Sequence, residues 1–289
     1  MKSLRECVLD AKQRGVAVGH FNISNLEMLH GIVSAARKLN VPVIIGTSEG
    51  EADFIGMRQA VAVVKSLREE LSFPIFINAD HTYSVERVKE AIDAGYDSVI
   101  FDGAGISIEE NIVQTKQCVA YARASGRDVL VEAELGFIGK SSKVHDVMPE
   151  GINLSADSLT KPEDAVYFVA ETGIDMLAPA VGNMHGMLKG GIDPSLNIDC
   201  IQKLADALSI PMVLHGGSGN SKDDFKEAVK RGMSVVHVST EIRVAYKSAL
   251  KLALQENPEE VAPYKYLKET VRAVEKVVEE KLKIFNNLS

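Results

Sequence analysis

Along the chain, short apolar runs rich in Val and Ile alternate with longer stretches whose apolar residues recur every three or four positions. The runs are VAVGHFN from Val16, VPVIIGTS from Val41, PIFINADH from Pro74 and SVIFDGA from Ser98. They continue with DVLVEAELG from Asp128, MLAPAVG from Met176, PMVLHGGS from Pro211 and VVHVST from Val235. Runs of this length, flanked by Gly and Pro, predict strands buried on both faces. The stretches between them predict helices. SVERVKEAIDAG ends on Gly95, and SIEENIVQTKQCVAYARASG opens on Ser107 with Glu110 at capping-box spacing. Eight alternations of strand and helix predict a (β/α)8 barrel, a TIM barrel, with a doubly wound open sheet as the competing α/β arrangement.

No Gly-, Ser- or Pro-rich linker divides the 289 residues, so the pattern reads as one domain spanning 1–289. The segment between Gly136 and Ser158 exceeds an ordinary βα loop, which suggests a lid or binding loop. The tail from Lys265 to Phe285 predicts an amphipathic C-terminal helix. Its apolar positions Leu267, Val271, Val274, Val277, Val278 and Leu282 would pack on the barrel or on another subunit.

Composition changes this picture little. Hydrophobic residues make up 46% and charged residues 25%, ordinary for a globular chain with a sizeable core. A formal net charge of -8 argues against a general nucleic-acid surface, though not against local basic pockets for phosphorylated metabolites. Cys7, Cys118 and Cys200 are odd in number and far apart, so neither a disulfide framework nor a Cys-rich zinc site is indicated. The opening MKSLRECVLDAKQRG lacks a signal-peptide apolar region, and no run is long enough to span a membrane. A cytoplasmic protein is expected.

The candidate chemistry lies at the ends of the runs. His81, His185 and His215 each close or follow one, where barrels place their active sites. Three imidazoles with one open position suit a catalytic zinc. Asp80 precedes His81. Neighbours in a strand point to opposite faces, but a turn at the strand end would bring both to the mouth. Asp80 then moves a proton or merely supports a metal-bound His. Glu132 and Glu134, two apart, both face the interior, with Glu134 nearer the mouth, and Asp102 ends the fourth run. Buried carboxylates need a partner or a metal, or else one of them caps a neighbouring loop. His185-Gly186 and the HGGSG at His215–Gly219 add glycines that let backbone N–H groups approach an anion, although short Gly clusters also make plain turns. Lys189 and Arg243 would add positive charge. His20, His30 and His145 read as core or surface histidines, and His237 as core filler or substrate contact.

In order along nearly the whole chain, FNISNLE, PVIIGTSEGE, NADH, DGA, VEAELG, TGIDMLAPAVGNMHG, VLHGGSG and STEIR make the sequence resemble the class II, metal-dependent fructose-bisphosphate and tagatose-bisphosphate aldolases. The resemblance implies a barrel that binds Zn2+ through His81, His185 and His215. Asp80 matches the acid/base acting on the aldehyde-derived hydroxyl. The metal serves as a Lewis acid on the ketone of dihydroxyacetone phosphate. Glu134 and Asp102 match a second metal position in some members. Gly186, Lys189, Gly216, Ser218, Ser239 and Thr240 match the phosphate cradle, and Asn22 and Ser48 match polar substrate contacts. Arg243 matches an arginine that reaches the second phosphate, in some members from a neighbouring subunit. The resemblance also implies a monovalent cation near the phosphate and a homodimer or homotetramer.

Three departures stand out. His237 replaces an Asn that contacts the dihydroxyacetone unit. The acidic loop after ELG reads FIGKSSKVHD, so its proton-transferring Glu is missing, with Asp146, His145 or Asp80 alone left to serve. Ser239 replaces an Asp common in fructose-type members and looks closer to the tagatose type. The leading reading is a lyase for a ketose 1,6-bisphosphate giving dihydroxyacetone phosphate and glyceraldehyde 3-phosphate. The altered Lys140–Lys143 stretch motivates a deoxy or acidic sugar phosphate instead. A metal-dependent hydrolase lacks a first-strand HxH, since His20 stands alone. A catalytically silent phosphosugar binder is opposed by the intact triad and Asp80 and favoured by His237 and the missing loop acid.

Overall fold

The computed structural model describes residues 1–139, 143–147, 158–190 and 193–289. Each of the eight runs forms a strand. In chain order the strands are β1 (Val18–Asn22), β2 (Val43–Ser48), β3 (Ile75–Thr82), β4 (Ser98–Phe101) and β5 (Leu130–Leu135). Next come β6 (Val144–His145), β7 (Met176–Pro179), β8 (Met187–Leu188), β9 (Met212–Leu214) and β10 (Met233–Val238). All but β6 and β8 close into a parallel barrel, β10 pairing back onto β1. This is the (β/α)8 arrangement rather than the open sheet. The two-residue β6 and β8 pair with each other and tie the loop after β5 to the loop after β7.

Period-two alternation sorts the strand residues into two cores. Outward side chains such as Phe21, Ile45, Ile77, Phe101, Val131 and Val238 pack beneath the surrounding helices. Inward side chains differ by depth. Val18, Ile44, Phe76, Leu130, Met176, Val213 and Val235 make an apolar floor, sealed by Leu4, Cys7, Val8 and Ala11 of the helix Leu4–Arg14. Above that floor the interior turns polar, with His20, Asn78, Glu132, His215 and His237 all buried.

Local signals end the helices where the pattern placed them. Ser107 caps the helix Ile108–Ala124 by accepting from the Glu110 backbone N–H at 3.2 Å. The reciprocal half of the box does not form: Glu110 Oε1 accepts from Gln114 instead. Gly95 closes the helix Val85–Ala94 in the left-handed region, φ 107°.

The C-terminal helix Lys268–Phe285 packs on its own barrel. It buries Val274, Val278, Leu282 and Phe285 against the helices Leu26–Leu39 and Thr240–Glu256. Gly31 permits the close approach, since a Cβ there would stand 2.7 Å from the Val271 carbonyl oxygen. Among the described residues, no helix is long and apolar enough to cross a membrane.

Candidate metal centre and active site

The mouth of the barrel is organised by an irregularity in β3. Ala79 pairs with Val99 of β4, but the next pair is Thr82 with Phe101. Asp80 and His81 therefore share the space opposite Ile100, a bulge. His81 adopts φ 52°, left-handed and rare for a side chain of this size. That conformation costs about 1–2 kcal/mol. It turns His81 away from the helical layer, so Asp80 and His81 both reach the mouth.

His185 follows β7 and His215 follows β9, and their rings gather around His81. Ring centroids lie 4.6 Å apart for His81–His185 and 4.8 Å for His81–His215. His215 Nδ1 is 3.1 Å from His81 Nε2. Glu134 completes the group: its Oε1 lies 3.2 Å from His81 Nδ1 and 3.3 Å from His215 Nδ1. One donor atom from each of His81, Glu134, His185 and His215 falls within 4.8 Å of the others.

The neighbours of these side chains fix their orientation. Glu132 sits 2.6 Å from His215 Nε2, taking that N–H and leaving Nδ1 as a lone pair toward the centre. Asp102 lies 3.0 Å from His81 Nδ1 and also accepts the Ala104 N–H at 3.2 Å. It stands behind His81, outside the four-residue group.

The electrostatics follow from burial. Burial alone would lower His81, but Asp80, Glu134 and Asp102 outweigh it and raise it to about 10. Burial, reinforced by the His81 charge, pushes His215 down to about 3 and His185 well below the usual range. Burial lifts Glu132 to about 7 and Glu134 well above an ordinary carboxyl. Burial opposes ionisation of Asp80, yet His81 and then His237 hold it well below the usual carboxylate range.

The residues fit a bound cation. Three imidazoles and one carboxylate are a donor set for zinc or a similar divalent ion. Glu134 Oε1 is buried without an aligned hydrogen-bond partner. A cation is also what three carboxylates around His81 call for.

Asp80 is held from below. Asn22 Nδ2 donates to its Oδ2 at 2.7 Å, and His237 Nδ1 lies 3.5 Å from Oδ1. His237 stacks face to face on His20, with centroids 3.5 Å apart and planes 2° from parallel. Its other face leans on His215 at 4.0 Å. Burial and the neighbouring rings keep His237 down at about 4 and His20 at about 3.

Across the mouth, the loop after β9 and the start of the helix Thr240–Glu256 form an anion cradle. Gly216 holds φ 61°, and a Cβ there would meet the Met184 carbonyl oxygen at 2.1 Å. Ser239 sits at the N-cap without a cap hydrogen bond, and its Oγ is buried with no partner. Ser218 Oγ accepts the Glu241 N–H of the first turn at 3.2 Å, and the free Ser239 hydroxyl at this helix N-terminus suits a phosphate.

A cleft of about 280 Å³ brings these groups together. Asn22, Ser48, Asp80, His81, His185, Gly186, Gly216, Ser218, His237, Ser239, Thr240 and Arg243 all line it. Lys189 does not: its side chain is 74% exposed and pairs with Asp146 at 3.1 Å. Asp146 and His145 likewise stay off the lining, although His145 packs where a Cβ on Gly186 would stand. Lys140 lies outside the described residues. The sequence patterns missed Glu49, Gly50 and Tyr83 in the lining, and Glu51 behind it. The Ser48-x-x-Glu51 spacing was the available signal for Glu51, as a capping box.

A family model described as fructose-bisphosphate aldolase class-II matches residues 2–288. A fructose-bisphosphate aldolase of Staphylococcus aureus is 39% identical over 286 residues, covering 98% of this chain and 96% of the relative. That of Geobacillus stearothermophilus is 38% identical over 288 residues, covering 99% and 96%. Among solved structures, the YdjI aldolase from Escherichia coli K12 superposes with a TM-score of 0.82 at 31% identity, covering 98% of this chain and 96% of that one. A putative fructose-1,6-biphosphate aldolase from Coccidioides immitis gives 0.81 at 27% identity, with coverages of 98% and 96%.

Proposed function

The chain belongs to the class II fructose-bisphosphate aldolase family of lyases, and from that premise we propose that it reversibly cleaves a ketose 1,6-bisphosphate of the fructose or tagatose type. The products are dihydroxyacetone phosphate and glyceraldehyde 3-phosphate. The whole chain works as one barrel domain around one zinc ion held by His81, His185 and His215, with Glu134 as an additional ligand. The observation that carries this reading is the convergence of those four donors within 4.8 Å beside a buried Asp80 whose neighbours hold it well below the usual carboxylate range.

When bound, the ion polarises the ketone of the substrate. Asp80 takes the proton from the hydroxyl that becomes the aldehyde as the adjacent C–C bond breaks, and returns it in the synthetic direction. A strongly depressed carboxyl is already deprotonated for this task. Glu132 and Asp102 hold His215 and His81 in the tautomers that turn a lone pair to the metal. Gly186, Gly216, Ser218, Ser239 and Thr240 cradle the ketose phosphate, with a monovalent cation beside it. Asn22 and Ser48 meet substrate hydroxyls. Arg243, the one Lys or Arg lining the cleft among the described residues, meets the second phosphate.

The stack of His237 on His20 favours a second reading of the substrate. An imidazole held flat by a buried partner leaves less room over Asp80 than a shorter side chain, which suits a ketose phosphate altered near the cleaved bond. A panel of fructose, tagatose and deoxyketose phosphates, read out by dihydroxyacetone phosphate formation with and without chelator, tests both. Triose phosphate release that survives complete chelation would sink the metal-dependent reading. We place the enzyme in the cytoplasm as a homodimer or homotetramer. The exposed Leu252, Leu254, Val261 and Tyr264 on one outer stretch support assembly.

A further inference from the structure

Two groups lining the cleft, Arg243 and Asp80, are linked behind it through one carboxylate. Glu51 lies in the first turn of the helix Glu49–Ile55 and is 7% exposed. Its Oε2 accepts from the Ser48 N–H and Oγ–H, each at 2.9 Å, and from Asn22 Nδ2 at 2.9 Å. Its Oε1 accepts from Arg243 and, at 3.3 Å, from Ser24 Oγ. Asn22 spends its second amide hydrogen on Asp80 Oδ2 at 2.7 Å. The chain of contacts therefore runs Arg243–Glu51–Asn22–Asp80.

Helix capping explains only part of this arrangement. The Ser48 contacts complete a capping box, which Gln would serve as well as Glu. The negative charge is called for by Arg243. A buried carboxylate is costly unless its oxygens are satisfied, and Glu51 is satisfied by donors from the ends of β1 and β2 and from the helix Thr240–Glu256. The link to Asp80 is also directional. A flipped Asn22 amide would set its oxygen against two carboxylates, so the amide is locked with both hydrogens committed. Asp80 Oδ1 makes no aligned hydrogen bond, with His237 Nδ1 at 3.5 Å and His81 Nε2 at 3.7 Å from it. Arg243 is one-third exposed and gives one terminal nitrogen to Glu51, which leaves its other N–H groups for an anion.

We propose that Glu51 is a positioning residue that orients Arg243 and Asp80 together, making turnover depend on an anionic group at the aldehyde end of the substrate. This inference rests on the aldolase reading, with Arg243 as the group that meets the second phosphate. An anion on Arg243 draws the guanidinium across the cleft. Glu51 resists through its pinned carboxylate, and the Asn22 contact holds Asp80 while it does so. Glu51 lies outside the cleft lining and acts through the lining residues it holds, Asn22, Ser48 and Arg243.

The test uses the metal-loaded protein in the synthetic direction, with dihydroxyacetone phosphate and either glyceraldehyde 3-phosphate or glyceraldehyde. Glu51→Gln is expected to lower the kcat/KM preference for the phosphorylated aldehyde by at least about tenfold, with metal content unchanged. An unchanged preference between the two aldehydes would leave Glu51 without a role in coupling Arg243 to Asp80 and overturn the proposal. Arg243→Ala supplies the second arm should Glu51→Gln fail to fold. Glyceraldehyde has no anion for Arg243 to hold, yet its kcat is expected to fall about threefold or more because Glu51 loses its partner. An unchanged glyceraldehyde kcat in Arg243→Ala counts against the coupling. A wild-type protein that joins neither aldehyde sinks the aldolase reading alone. Glu51 is then judged by titration with glycerol 3-phosphate, whose binding Glu51→Gln should weaken about fivefold or more, and unchanged binding overturns the proposal.

Discussion

Glu132 and His215 lie 2.6 Å apart at Nε2, both sealed inside the barrel at 1% exposure. The contact decides which nitrogen of His215 faces the cluster. With Nε2–H given to the carboxylate, Nδ1 presents its lone pair to His81 and Glu134. Glu132→Ala removes that preference and leaves the ring free to turn or to take the other tautomer. Partners of this kind typically contribute about 10–100-fold in metal affinity. We expect a loss in that range by chelator competition. An affinity equal to wild type would show that packing alone orients His215.

Metal binding should strengthen as pH rises. His81, raised to about 10 by Asp80, Glu134 and Asp102 against its burial, holds a proton at neutral pH. Glu134 is shifted by burial toward its protonated form. A metal must displace the proton on His81 and compete with protonation of Glu134. His185 and His215 are pushed below the usual range and contribute lone pairs without proton release. Each displaced proton lowers apparent affinity by up to about tenfold per pH unit below the group's pKa. Competition with a chelator of known pH behaviour between pH 6 and 9 reads this slope directly. A flat profile would mean that neither His81 nor Glu134 is a ligand.

The barrel was legible because its strands are buried on both faces and therefore read as unbroken apolar runs between Gly and Pro. The paired β6 and β8 were not, since two residues carry no period. The site was legible in its members but not in their contacts. Alternation placed Glu132 and Glu134 on the same face with Glu134 nearer the mouth, but did not show what each would touch. One step of the pleat sets Glu132 under His215 and Glu134 among the donors. Alternation also set Asp80 and His81 on opposite faces, and only the bulge against Ile100 brings both to the mouth. Lys189 looked like a cradle residue by its place after His185, yet the chain carries it outward to Asp146. His20 looked like core, because nothing in a single strand announces that an imidazole one pleat above the floor residue Val18 will meet another from β10.

Asp80→Asn separates proton transfer from metal binding. Asn is nearly isosteric and still accepts the Asn22 hydrogen bond through its oxygen, so the cluster keeps its shape. It cannot take a proton. Lost general acid/base function costs about 10²–10⁴ in rate. The expected result is a kcat reduced by at least about a hundredfold, with metal content and KM near wild type. A variant that loses its metal along with its activity would place Asp80 among the structural supports of His81.

Gly46 controls the His20–His237 stack through space alone. It lies on β2 beside β1, and a Cβ there would stand 2.2 Å from His20 Cε1 and 2.7 Å from Nε2. His20 cannot move aside freely. It is stacked on His237 and lies 3.0 Å from Asn78 Oδ1. Gly46→Ala should therefore destabilise by about 1–3 kcal/mol, the usual cost of overpacking, and lower activity by disturbing His237 against Asp80. The cause can be isolated with a second substitution. His20→Ala empties the space that the new methyl group needs, so the double variant Gly46→Ala/His20→Ala should melt above Gly46→Ala alone. Thermal unfolding of the two single variants and the double variant measures this. Purely additive losses would show that Gly46 is required for the backbone of β2 and not for the imidazole beside it.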